Sequence, residues 1–281
     1  MGYATIEVTP VTSVIGAQVE GAELGALDDA QFAEIHDALM EHLVLFFRDQ
    51  DISDEQHLAF AARFGVPSVY PIAKLMGATE VGVSVIEDTP ESPPDADGWH
   101  TDVSWLPEPP QVAVLRADVI PDTGGDTMWA SLYAAYDALS PAMQTVCQGL
   151  TVRHDQGADF HAAIERHLGK EMADRVATEY PGAEQPLVRT HPVTGRPALF
   201  ISGMFMRSVL GMHDDESDAL LAFLRRCVDD PNVQCRWRWQ PNDVAVWDER
   251  ATNHRALSDH FPQYRRMRRI TVDGDRPYFA A

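Results

Sequence analysis

The chain has 281 residues and a net charge of −21, from 43 Asp and Glu against 22 Lys and Arg. That balance repels a phosphate backbone, which argues against nucleic acid as a partner; no apolar run approaches the roughly 20 residues that span a bilayer, and Met1 to Val14 has neither the basic head nor the apolar stretch of a signal peptide. The expectation is one cytoplasmic domain over residues 1–281, its three cysteines (Cys147, Cys227, Cys235) too few and too far apart for a disulfide framework or a zinc knuckle.

Asp28 reads as the cap of a helix whose apolar face is Phe32, Ile35 and Leu39. Val44-Leu45-Phe46-Phe47 reads as a buried strand, and Ser53 with Gln56 as the capping box of a second helix that Gly65 stops. Short β-like runs then dominate: Val81 to Ile86, Val112 to Val119, Leu150 to Arg153, Ala198 to Ser202, Cys235 to Trp239, Val244 to Trp247 and Arg269 to Val272. In Cys235 to Trp239 the arginines face one side and the tryptophans the other. Helices interrupt at Ser131 to Leu139, after Phe160, and at Asp214 to Cys227. The fold class is mainly β with helical insertions, a β-sandwich or jelly roll. The arginine cluster Arg265, Arg266, Arg268 and Arg269 is either a solvated strand face or a site for a small anion.

The segment Trp99-His100-Thr101-Asp102-Val103 carries the sharpest chemical signal. On an extended strand residues i and i+2 share a face, so His100 and Asp102 would converge on one ion. An imidazole and a carboxylate are two thirds of the facial triad that leaves positions open on Fe(II) for a chelating cosubstrate and O2. His254, after the strand Val244 to Trp247 and a turn, is the best third ligand. Eleven residues on, Arg265 offers the guanidinium fork that suits the far carboxylate of 2-oxoglutarate, with the Thr127 hydroxyl a candidate partner. His36, His42, His57, His161, His167 and His213 read as surface residues; His154 and His191 read as structural or merely near the pocket.

At this point the sequence resembles the taurine dioxygenase group, the TauD/TfdA family. The resemblance rests on Trp99 to Val103, Gly124-Gly125-Asp126-Thr127-Met128-Trp129, Arg189-Thr190-His191-Pro192, Trp237 to Asp243, and Trp247 to His254 followed by Arg265 and Arg269. It implies a double-stranded β-helix (jelly-roll, cupin-like) core. It implies His100, Asp102 and His254 as iron ligands, and Thr127 and Arg265 at 2-oxoglutarate. The activity implied is hydroxylation of a small organic anion (a sulfonate, an alkyl sulfate or a carboxylate) by O2, with release of succinate and CO2, and with desulfonation to an aldehyde where the hydroxylated carbon bears sulfur. Arg269 matches the arginine that holds the taurine sulfonate, and Val103 and Phe205 match groups bordering that substrate. Tyr70, Asp159 and Phe160 fall in the same loops. The chain departs from the taurine enzyme at Tyr70 (histidine there), Ala73 (tyrosine), Ala96 (asparagine) and Asp159 (serine), so the anion anchor survives and the amine end does not. Asp159 reads either as a partner for a cation or as an exposed loop carboxylate. Tyr70 and Trp105 are either pocket walls or core aromatics. Two other readings remain open: an aryloxyalkanoate or other carboxylate hydroxylase of the same family, and a non-catalytic jelly-roll protein binding a metal or ligand. A homo-oligomer is the default for a soluble enzyme.

Overall fold

The computed structural model describes residues 2–94 and 96–280; Met1, Asp95 and Ala281, and with them the first residue of the N-terminal run, lie outside it. Strands β1 (Glu7–Pro10) and β2 (Ala17–Glu20) pair antiparallel. Helix α1 (Asp29–His42) begins at a full capping box of Asp28 and Gln31 and buries Ile35, Ala38 and Leu39. It runs into β3 (Val44–Phe47), and α2 (Asp54–Ala62) starts at the capping box of Ser53 and Gln56. Helix α2 ends three residues before Gly65, whose φ of 151° carries the chain through the following turn against Gln111 and Val272. Next come α3 (Pro71–Leu75), β4 (Ser84–Asp88), β5 (Val112–Val119) and β6 (Thr127–Ser131). The middle of the chain holds α4 (Leu132–Asp137), α5 (Pro141–Gln148), β7 (Thr151–His154), α6 (Gly157–Leu168) and α7 (Lys170–Glu179). After β8 (Ala183–Pro186), β9 (Val188–Thr190), β10 (Pro197–Leu199), β11 (Met206–Val209) and α8 (Asp214–Val228), the chain closes with β12 (Gln234–Trp237), β13 (Val244–Asp248), β14 (Thr252–Ala256) and β15 (Arg265–Val272).

Seven strands form one sheet in the order β1-β2-β3-β13-β5-β15-β4, and β12-β6-β14 form a second of three. The apolar runs at the centre of the large sheet follow from its being covered on both faces. In β3, Val44 and Phe46 join the core between the sheets, while Leu45 and Phe47 join the core under α1 and α2. Strand β13 divides likewise, Ala245 and Trp247 against Val244 and Val246. Phe46 stacks on Trp237 of β12 at 4.1 Å and meets Trp129 of β6 edge-on at 5.2 Å. This is the jelly-roll core, with helices on the outer face of its large sheet; the sheets stay open, β1 and β4 forming the edges of the larger one. Among the described residues no helix is long and apolar enough to cross a membrane.

Strand β15 divides the arginine cluster by the same alternation. Arg266 and Arg268 point to the outer side and pair with Glu87, Asp118 and Asp54. Arg265, Met267 and Arg269 point inward, Met267 into the core between the sheets. The outer half of the cluster is an ion-paired strand face, and the inner half, Arg265 and Arg269, is turned away from it. Strand β15 also begins four residues earlier than its apolar run, because pairing with Asp88 and Glu87 of β4 carries it through the charged residues. Strand β4 in turn starts at Ser84, not Val81.

His57 corrects its sequence reading. It is fully buried, on the inner face of α2 with Phe60 and Ala61, and its Nε2 lies 3.3 Å from the Val114 carbonyl. Burial, with the Arg116 guanidinium adding to it, pushes the imidazole down to about 4 from 6.5. Between those values the unfolded chain binds a proton that the folded protein refuses, so stability present above pH 6.5 is lost as the pH falls. The loss is about 3 kcal/mol at the acid end. His57→Gln is expected to flatten the decline of the urea midpoint between pH 6.5 and 4.5; an unchanged decline would contradict a neutral buried imidazole.

Candidate active site

Two neighbouring side chains, His100 and Asp102, meet a third from about 150 residues away, His254, where the segment before β5 crosses β14. The backbones of His100 and His254 exchange hydrogen bonds, His100 N–H to His254 O at 3.0 Å and His254 N–H to His100 O at 2.8 Å. Strand β14 is itself fixed on β6, with His254 opposite Trp129. The Thr101 hydroxyl donates to the Thr252 carbonyl at 3.0 Å and accepts from Asn253 Nδ2 at 2.9 Å. The expected strand through His100 and Asp102 is not there: His100 makes one isolated bridge and Asp102 already lies in a turn, followed by Val103 at φ 41°. Convergence comes from that turn, which swings the carboxylate back towards the imidazoles.

His100, Asp102 and His254 are all buried, and one potential ligand atom from each lies within 4.8 Å of the others. The Nε2 atoms of His100 and His254 are 3.7 and 3.8 Å from Asp102 Oδ1. His100 Nδ1 is 2.7 Å from the Gly98 carbonyl, which only accepts, so this nitrogen carries the proton and Nε2 keeps its lone pair. Burial, reinforced by the neighbouring His100, pushes His254 well below the usual imidazole range and keeps it neutral. Burial opposes ionisation of Asp102, but the Arg269 guanidinium and the two imidazoles outweigh it and hold the carboxyl below its ordinary range. Two imidazoles and one carboxylate suit non-haem Fe(II), and no other group of three or more such donors occurs among the described residues.

A cavity of about 410 Å³ opens beside this cluster. Its lining includes Tyr70, Val103, Asp159, Phe160, Phe205 and Arg269, the six substrate-side residues singled out in the sequence. Ala96 also lines it, whereas Ala73 is absent from the lining. Arg269 Nη1 donates to both carboxylate oxygens of Asp102 at 3.0 Å, and its guanidinium lies 5.8 Å from the Tyr70 ring. Tyr70 is thus a wall. Trp105 is core, 1 % exposed and packed behind Phe160 and Tyr180. Asp159 sits on α6 and not on a loop; Asp159, Phe160, Ala163 and Arg166 share the helix face towards the cavity. Arg166 was not anticipated, although the spacing 159, 163, 166 would have exposed it had α6 been started at Gly157.

Thr127 and Arg265 do not line that cavity. Arg265 is 3 % exposed; its Nε donates to the Gly125 carbonyl at 3.1 Å and its Nη1 lies 3.6 Å from Asp88. Its Nη2 is buried with no hydrogen-bond partner in the structure, and that is the donor a ligand carboxylate would take. A side chain at Gly125, at φ 72°, would be strained and would crowd Arg265, its Cβ standing 3.1 Å from Arg265 Cδ. Thr127, two residues on, is buried, and its hydroxyl accepts from Trp239 Nε1 at 3.0 Å. Sequence reasoning missed Glu249, which is buried within this cluster; nothing in its spacing separates it from an ordinary turn acid.

Comparison with known proteins finds a match to the model of the family described as "Taurine catabolism dioxygenase TauD, TfdA family" over residues 7–271. An alpha-ketoglutarate-dependent sulfate ester dioxygenase of Pseudomonas putida is 34 % identical, over 97 % of this chain and 91 % of its own length. An (S)-phenoxypropionate/alpha-ketoglutarate dioxygenase of Delftia acidovorans is 35 % identical, over 90 % of this chain and 89 % of its own. The crystal structure of a taurine dioxygenase from Burkholderia xenovorans superposes with a TM-score of 0.81 at 34 % identity, covering 98 % of this chain and 93 % of that one.

Proposed function

The chain belongs to the TauD/TfdA family of Fe(II)- and 2-oxoglutarate-dependent dioxygenases, and we propose that its substrate is a small organic anion with an apolar tail. One observation carries this reading: beside the His–Asp–His cluster, Arg269 stands in a cavity with apolar walls of Ile86, Val103, Phe160, Met204 and Phe205, Asp159 and Arg166 adding charge from α6. An anionic head on Arg269 would leave the tail against those walls. An amine at the tail end would find only Asp159 among carboxylates away from the cluster. The acidic surface, 43 against 22, fits a freely diffusing cytoplasmic enzyme working on small molecules.

In this reading His100 and His254 through Nε2, and Asp102 through its carboxylate, would hold Fe(II), and Arg265 with Thr127 would hold the distal carboxylate of 2-oxoglutarate. The bound pair would supply oxidation of a C–H bond by O2, converting 2-oxoglutarate to succinate and CO2 and R–H to R–OH. The Gly98 carbonyl keeps the His100 proton on Nδ1 and leaves Nε2 to ligate. Arg269 keeps Asp102 ionised and orients the substrate head. Phe160, Phe205 and Met204 exclude water from the reacting carbon and position it.

The test is anaerobic titration of the Fe(II)-loaded protein with 2-oxoglutarate, followed by linear alkyl sulfates of increasing length, an aryloxypropionate and taurine. A visible charge-transfer band that appears with 2-oxoglutarate and shifts with substrate is expected. Along the alkyl series kcat/KM should rise about fourfold per methylene until the cavity fills, as each buried CH2 contributes about 0.8 kcal/mol. A preference for taurine, or no dependence on chain length, would sink the apolar-tail reading.

A further inference from the structure

We propose that Glu249 is a positioning residue for the metal centre, accepting the Nδ1–H of His254 while anchoring the turn that carries Asp102. The inference rests on the assignment of His100, Asp102 and His254 as ligands. Glu249 is fully buried, and each of its oxygens faces this cluster. Oε2 accepts the backbone N–H of Asp102 at 3.1 Å, and Oε1 accepts Trp247 Nε1 at 2.7 Å. The same Oε1 lies 3.9 Å from His254 Nδ1.

That nitrogen is buried with no hydrogen-bond partner in the structure. A buried imidazole nitrogen without a partner is costly, and the carboxylate nearest this one is that of Glu249. His100 solves the same problem with the Gly98 carbonyl at 2.7 Å. For His254 the corresponding acceptor is Glu249, and closing 3.9 Å to a hydrogen bond takes an imidazole shift of about 1 Å. A cation held at Nε2 draws electron density from the ring, makes Nδ1–H a stronger donor and favours a carboxylate acceptor.

A bland alternative has Glu249 serving only Trp247 and the Asp102 backbone. Zn(II) binding to the metal-free protein, followed by calorimetry, separates the two. Glu249→Gln is expected to raise the Zn(II) dissociation constant about 10–100-fold, while the metal-free variant keeps a cooperative melt. In the Zn(II)-loaded wild type labelled with 15N-histidine, the ring Nδ1–H protons of His100 and His254, assigned apart from those of the buried His154 and His260, are expected to exchange slowly; the variant should keep the first and lose or shift the second. A dissociation constant within twofold of wild type, with both protons unchanged, would overturn the proposal. Should the variant not fold, a rapidly exchanging His254 Nδ1–H in the loaded wild type overturns it just as well. Wild-type protein that binds no ion would instead sink the ligand assignment on which the proposal stands.

Discussion

Asp102→Ala is expected to abolish 2-oxoglutarate-dependent turnover and to weaken Fe(II) binding by far more than the roughly 10–100-fold that loss of an outer partner costs. The reason is that Asp102 contributes the only anionic atom among the three donors and sits within 3.7 to 3.8 Å of both Nε2 atoms. Without it the two imidazoles face each other with no negative charge between them, and Arg269 loses the carboxylate it bridges. The fold is expected to survive. His100 and His254 remain tied by their two backbone bonds, and Thr101 still holds the segment to Thr252 and Asn253. Removing Asp102 also relieves the repulsion that it exerts on buried Glu249, which offsets part of the lost Arg269 contact. The measurement pairs a metal-binding isotherm with a urea melt. A variant that melts normally but binds no iron supports the ligand role; full activity in the variant would remove Asp102 from the site.

The large sheet was legible because its central strands are covered on both sides, so burial wrote itself into continuous apolar runs such as Val44 to Phe47 and Val112 to Leu115. The Asp28 cap and the Ser53–Gln56 capping box were legible because the hydrogen bonds are local, three residues apart. What the sequence concealed is non-local. His57 looks like a helix-surface residue until β5 is laid beneath α2. The convergence of His100 with Asp102 was anticipated through strand alternation, yet it arises from a turn pinned by Thr252, Asn253 and Glu249, about 150 residues away. The residue types of the site were readable because their chemistry is unusual at that spacing. Helix α6, which brings Asp159 and Arg166 to the cavity, begins without a side-chain cap, so no local signal marked its start.

The second large effect is expected at Arg265. Replacement by alanine should raise the apparent KM for 2-oxoglutarate on the order of a hundredfold or more, the cost of about 3–5 kcal/mol for removing a buried charged partner. The KM for the organic anion should change little, since Arg269, and not Arg265, lines the substrate cavity. Total activity is a poor readout, because the same substitution deprives Asp88, mostly buried beside it, of a cation 3.6 Å away and weakens the β4–β15 edge. The ratio of the two KM values cancels that structural loss. Arg265→Lys sharpens the test: it keeps the charge but not the fork, and lysine cannot reproduce both the bond to the Gly125 carbonyl and the unused Nη2 donor. Partial recovery with lysine, confined to the 2-oxoglutarate KM, is the expected pattern. If alanine raised both KM values equally, Arg265 would be acting on the fold alone, and the cosubstrate anchor would have to be sought elsewhere in the jelly roll.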